Sequence, residues 1–163
     1  MIKGTPELIG ERREEIFLAL YERKYVWWNE ELVRIMEDNE RPTKEQLADR
    51  LAKSIENIGQ LLKLLSMNNY DMEANSREEL LVSFKAAYGK SMINVRGCIE
   101  KFCHDMSEED IQGFLYMFFP FLFGIDPYAE VTDKQRKAMK EADVEFVYQS
   151  IYEITYNCLL RLF

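Results

Sequence analysis

The sequence predicts an all-α fold, a helical bundle of six to seven helices in one domain, and three observations carry that expectation. Apolar residues recur at three- and four-residue spacing nearly throughout, and strict alternation over four or more residues is missing. Only 7 Gly and 4 Pro interrupt the 163 residues, and no Asn-Gly or Asp-Gly pair offers a hairpin turn. Helix starts are also marked. Thr43 with Gln46, Ser76 with Glu79 and Thr132 with Gln135 have the capping-box spacing, in which hydroxyl and later side chain satisfy reciprocal backbone donors; Ser107 with Asp110 is a shorter-armed version. A hydrophobic share of 47% suffices for one core, and no repeat or long linker suggests a second.

The first helix is expected over about 12–39. At about 100° per residue, Phe17, Leu18, Tyr21, Tyr25, Trp28, Leu32, Ile35 and Met36 form one core stripe. Ile16, Leu20 and Trp27 form a second patch among charges, which would face water if nothing covered it. Residues 1–11 form a separate N-terminal segment, where Thr5-Pro6-Glu7 could start a short helix that Gly10 weakens. Helices follow at about 43–56 and 57–67. The Asn68-Asn69-Tyr70-Asp71 segment then breaks the pattern before a long helix at 76–103.

The helix expected at 107–124 is apolar all round and so must be covered on every side. Ile111, Leu115, Phe118 and Leu122 fill the domain's own core, with Phe114, Met117 and Phe121 beside them, while Tyr116, Phe119 and Phe123 point elsewhere. Pro120 removes a hydrogen bond inside this helix and predicts a kink near Tyr116. A short helix near 132–141 precedes the last one, expected at 143–163. There Val144, Val147, Tyr148, Ile151, Ile154, Thr155, Cys158 and Leu162 make a core stripe, and Tyr152, Tyr156 and Phe163 extend the apolar surface to a flank. Two adjacent helices with spare aromatic flanks are most economically buried by a two-fold contact, which predicts a homodimer through Tyr116, Phe119, Phe123, Tyr152, Tyr156 and Phe163.

Several function classes are excluded on chemistry. The net charge of −8, with cations interleaved among acids, argues against a nucleic-acid surface, so this chain alone is not expected to bind DNA. The longest uncharged apolar run, Phe114 to Ile125, is short of the roughly 20 residues of a membrane span. No signal peptide opens the chain, and three cysteines, Cys98, Cys103 and Cys158, in apolar helical contexts suit buried free thiols in a reducing cytoplasm. With His104 the lone histidine, no catalytic residue is assigned. No metal or cofactor is implied, since the C-x-x-C and Glu-x-x-His spacings are missing, as are a phosphate-binding glycine loop and a calcium loop.

The Glu-Glu-Ile-Phe-Leu-Ala-Leu-Tyr-Glu of residues 14–22 resembles the first helix of the regulatory domain in TetR-type transcriptional repressors. The Phe-Phe-Pro-Phe-Leu-Phe-Gly-Ile-Asp-Pro-Tyr-Ala of 118–129 is similar to the Gly-x-x-Pro ending that many such domains show after their penultimate long helix. It departs from them in placing Asp126 where an aromatic often precedes the proline. The resemblance covers roughly residues 12–163. It implies a TetR-type regulatory architecture that dimerises through its last two long helices, with a DNA-binding head that packs on the first helix and is absent from this chain. Ile16, Leu20 and Trp27 would then contact that head. It further implies a cavity for a small, largely apolar or aromatic effector, for which the sequence supplies Met67, Tyr70, Tyr88, Met92, Val95, Phe114, Met117, Phe118 and Phe121. Each of these side chains would serve equally well as core. The alternatives are a naturally headless interaction protein that heterodimerises with a full-length relative, or a helical-bundle enzyme.

Overall fold

The computed structural model describes residues 6–38, 40–67 and 69–163, with side chains described from residue 13 onward except at 39 and 68–71. Among these residues the chain forms nine helices and no strand: α1 (Pro6–Glu37), α2 (Lys44–Glu56), α3 (Gly59–Met67), α4 (Asn69–Asn75), α5 (Glu78–Phe102), α6 (Glu108–Leu122), α7 (Ile125–Ala129), α8 (Asp133–Glu141) and α9 (Ile151–Leu162). The all-α expectation holds. Helix α1 runs unbroken through Gly10 from Pro6, whose missing N–H costs nothing in a first turn, so no backbone break falls at residue 11.

Helices α1 and α5 form the spine. Their contacts advance together, Tyr21 with Phe84, Asn29 with Asn94 and the Met36 carbonyl with Lys101, so the two helices run parallel. Gly97 lets them approach closely, because a Cβ there would lie 2.6 Å from Met36 Sδ. The expected stripe of α1 faces this core: Leu18, Tyr21, Tyr25, Trp28 and Leu32 are buried, and Phe17, Ile35 and Met36 are partly so. Trp28 is fully buried, worth roughly 3 kcal/mol of apolar transfer, and its Nε1 donates to Ser54 Oγ at 3.0 Å.

Helix α6 runs antiparallel to α5, with Arg96 bonded to Glu108 and Tyr88 packed edge-on against Phe119. Helix α9 runs antiparallel to α2: Tyr152 Oη donates to Asp49 at 2.7 Å, and Lys44 Nζ reaches the carbonyl of Phe163. That bond to Asp49 raises the phenol to about 12, while Lys53 and, after it, the same bond hold the carboxyl below its ordinary range. The three thiols are free. Burial pushes Cys98, whose Sγ donates to the Leu32 carbonyl, up to about 12 and also raises Cys103 and Cys158.

Three local expectations are corrected. The Thr43, Ser107 and Thr132 capping boxes all form, but Ser76 turns back to the Met72 carbonyl and Arg77 becomes the N-cap of α5. The helix expected from 143 begins at Ile151, because α8 ends with Asp143 in the left-handed region (φ 53°), its N–H on the Lys140 carbonyl and that of Val144 on Met139. Residues 144–150 are therefore non-helical, and Val144, Val147 and Tyr148 are exposed rather than core. A capping box of Ser150 and Glu153 restarts the helix.

Candidate functional site

A groove of about 290 Å³ opens between the N-terminal half of α1 and the α3–α4 corner. Phe17 and Tyr21, one turn apart on α1, form one wall; Leu64, Met67 and Met72 form the other, with Arg13 and Glu14 at the rim. Tyr21 Oη donates to the Leu64 carbonyl and so ties α1 to α3 at the back of the groove. The ring of Phe84 supports Tyr21 from α5, 5.8 Å centroid to centroid. At the mouth the Arg13 guanidinium lies 5.8 Å over the Phe17 ring, and the described residues offer it no carboxylate within ion-pair distance. The arrangement can hold a small apolar body against aromatic and methionine walls, with a charged group at one end.

Of the residues expected to line an effector cavity, Met67 alone lines this groove. The side chain of Tyr70 lies outside the described residues. Val95, Phe114 and Phe118 are core: Phe114 stacks on Phe163 and Phe118 packs against Phe119. Tyr88, Met92 and Phe121 are half-buried against that core, with Tyr88 edge-on to Tyr25 as well as to Phe119. Met117 points to solvent. Among the described residues these side chains are therefore divided between the groove, the core and the surface.

The expected contact flanks divide as well. Tyr116 is 65% exposed and Phe119 only 2%, wedged between Trp28 and Tyr88, so Phe119 serves its own core and not a second chain. Phe123, Tyr152, Tyr156 and Phe163 are half-buried against their own chain, Tyr152 and Tyr156 stacked on each other. What α6 exposes beyond its acidic first turn is Gln112, Tyr116, Met117 and Pro120; the last three form one helical stripe with the half-buried Gly113. On α1 the outward patch is present: Ile16, Leu20 and Trp27 are exposed, joined by Val26.

Residues 22–148 match the family described as tetracyclin repressor-like, C-terminal domain. The chain belongs to that family. Its resemblance to TetR-type regulators, first visible at residues 14–22 and 118–129, thus extends through most of the fold, and the nine helices are those of a TetR-type regulatory domain. No curated protein and no solved structure matches the chain.

In this TetR-type domain the α1 end of the groove, Arg13 to Tyr21, precedes the matched span, and α9 follows it. Phe17, Tyr21, Leu64 and Met72 were not singled out as site residues from sequence. Phe17 and Tyr21 carry an ordinary core pattern, and only the tertiary approach of α3 turns them into a wall. Among the described residues no helix is long and apolar enough to cross a membrane.

Proposed function

We propose that this TetR-type domain is a homodimeric, effector-responsive regulatory unit whose small, largely apolar effector sits in the α1–α3–α4 groove. The observation that carries the reading is the groove itself. Two of its aromatic walls belong to the first helix, so a molecule there touches both α1 and the α3–α4 corner and biases their relative position. Helix α1 also exposes Ile16, Leu20 and Trp27, which suit a DNA-binding head packed along it, and the outward stripe of α6 suits a second copy. A signal would pass along one rigid helix, from groove to head.

The test uses an anilinonaphthalene sulfonate dye, whose fluorescence rises in apolar sites and whose sulfonate suits Arg13. The dye should bind the wild type saturably and raise its melting temperature with concentration. Phe17→Ala with Met67→Ala should abolish saturable binding, while Met92→Ala, away from the groove, should leave it intact. Saturable binding that survives the groove variant and falls with Met92→Ala would overturn the assignment.

A further inference from the structure

Helix α8 is the outlier of this fold. It contains no buried residue, yet it is closed at both ends, by the Thr132 capping box and the Asp143 turn. Four cations, Lys134, Arg136, Lys137 and Lys140, stand in its nine residues against two acids, in a chain of net charge −8. Arg136 lies 4.0 Å over the Tyr148 ring, and Tyr148 and Tyr128 both pack on Phe146. This satellite cluster packs against the helix through Arg136 and lies outside the core. Lys134, Lys137 and Lys140 recur every third residue, so they lie along one slanted face. Among the described residues Lys134 and Lys140 make no ion pair, and Lys137 has only Glu141, 3.8 Å away on the same helix.

The outward stripe of α6 shows where such a face would find a partner. Gly113, Tyr116, Met117 and Pro120 are spaced symmetrically about the midpoint between Tyr116 and Met117. An antiparallel copy would set Tyr116 on the partner's Met117 and the small Gly113 opposite the partner's Pro120, which is the self-complementarity a two-fold contact requires. Gly113 is open to this, since a Cβ there would meet only Met117 Cε at 3.9 Å. Helix α6 has 15 residues, about 22 Å, and in that arrangement its C-terminal end lies beside the N-terminal end of the partner's α6. The basic arm follows the first end; Glu108, Glu109 and Asp110 occupy the second.

We propose that α8 is a reciprocal clasp, which docks its lysine face on the acidic start of α6 in a second copy of this chain, once on each side of the two-fold. The proposal rests on the homodimer reading above and goes beyond it in assigning the excursion between α6 and α9 a role. Glu109 is the principal acceptor, because Glu108 already pairs with Arg96 and Asp110 closes the capping box of Ser107. The contact is electrostatic and rim-like, so it governs dimer strength and salt dependence rather than folding.

Two variants decide the matter, Lys134→Glu with Lys137→Glu on the arm and Glu109→Lys on α6. Each homodimer then opposes like charges twice and should dissociate about tenfold more readily than wild type, with unchanged helical circular dichroism. Mixed together, the two variants oppose unlike charges at both clasps, and sedimentation of differently labelled chains should show the heterodimer in excess over either homodimer. Raising salt should weaken the wild-type dimer. Variants that dimerise as tightly as wild type, or a mixture with no heterodimer preference, would overturn the clasp and leave the dimer standing. A wild type that is monomeric at tens of micromolar would overturn the dimer reading and the clasp together.

Discussion

Asn94 donates a 2.9 Å hydrogen bond from Nδ2 to the Oδ1 of Asn29, across the contact between α1 and α5, and Asn29 Nδ2 donates in turn to the carbonyl of Ala87 at 3.1 Å. Both side chains are buried in that contact. Hydrophobic packing alone tolerates a slide of one helix along the other; this pair does not, since a shift of one turn leaves two amides without partners. The position of α1, the helix that carries both the groove wall and the outward patch, is thereby pinned to the body.

Breaking the pair from one side should therefore be costly. Asn94→Ala leaves the Oδ1 of Asn29 buried and unsatisfied, and urea unfolding should show a loss of about 1–3 kcal/mol. Replacing both residues with Leu removes donor and acceptor together, so the double variant should lose less than the sum of the two single Leu variants. Additive losses would show that the two amides are not coupled.

Tyr21 and Tyr25, one turn apart on α1, should respond in opposite ways to the same change. Tyr21 Oη has the Leu64 carbonyl as acceptor, whereas the Oη of Tyr25 is buried with no partner among the described residues. Burial raises both phenols well above the ordinary range. Tyr21→Phe should cost about 1 kcal/mol, while Tyr25→Phe, which deletes a hydroxyl whose desolvation nothing offsets, should leave stability unchanged or raise it by up to about 1 kcal/mol. Calorimetric melting of the two variants is the comparison.

The core stripe of α1 was legible because its period is helical and its opposite face is charged. Helix α6 was harder. A helix apolar on all sides gives periodicity no face to choose, so Phe119 and Met117 exchanged places: the first is core, the second surface. The groove was hidden for another reason. Tyr21 meets Leu64 43 residues further on, and nothing local marks that approach. At the start of α9 the signal was present, since Ser150 and Glu153 have capping-box spacing. The apolar residues from Val144 to Tyr148 extended the helical pattern across it, and an Asp at a left-handed turn lacks the clear mark a Gly would give.

That turn yields a third prediction. Asp143 holds φ at 53°, a region that strains residues with a Cβ and suits glycine. Asp143→Gly should raise stability by about 0.5–1 kcal/mol, and Asp143→Val should lower it. Ser150→Ala removes the cap of α9 and should cost about 1 kcal/mol. The ends are separate, so the double variant Asp143→Gly with Ser150→Ala should give the sum in denaturant titration.

The pH dependence should carry the signature of Asp126. This carboxyl, at the start of α7, is largely buried, and burial raises it above its ordinary value of 3.8 against the opposing influence of Lys63 and Ser66. Below the unfolded value Asp126 is neutral in both states and costs nothing. As pH rises from there to the folded value, the folded chain binds more protons than the unfolded one, so this carboxyl's contribution to stability falls; above both it is ionised in both states and the penalty is complete. Asp126→Asn keeps the shape and removes the charge. The variant should be the more stable form at pH 7, and its advantage should shrink as pH is lowered through the window between the two values. Melting temperatures of both proteins across pH 3–8 measure the gap. A variant less stable than wild type at neutral pH would mean that the attraction of Lys63 outweighs the burial of the charge.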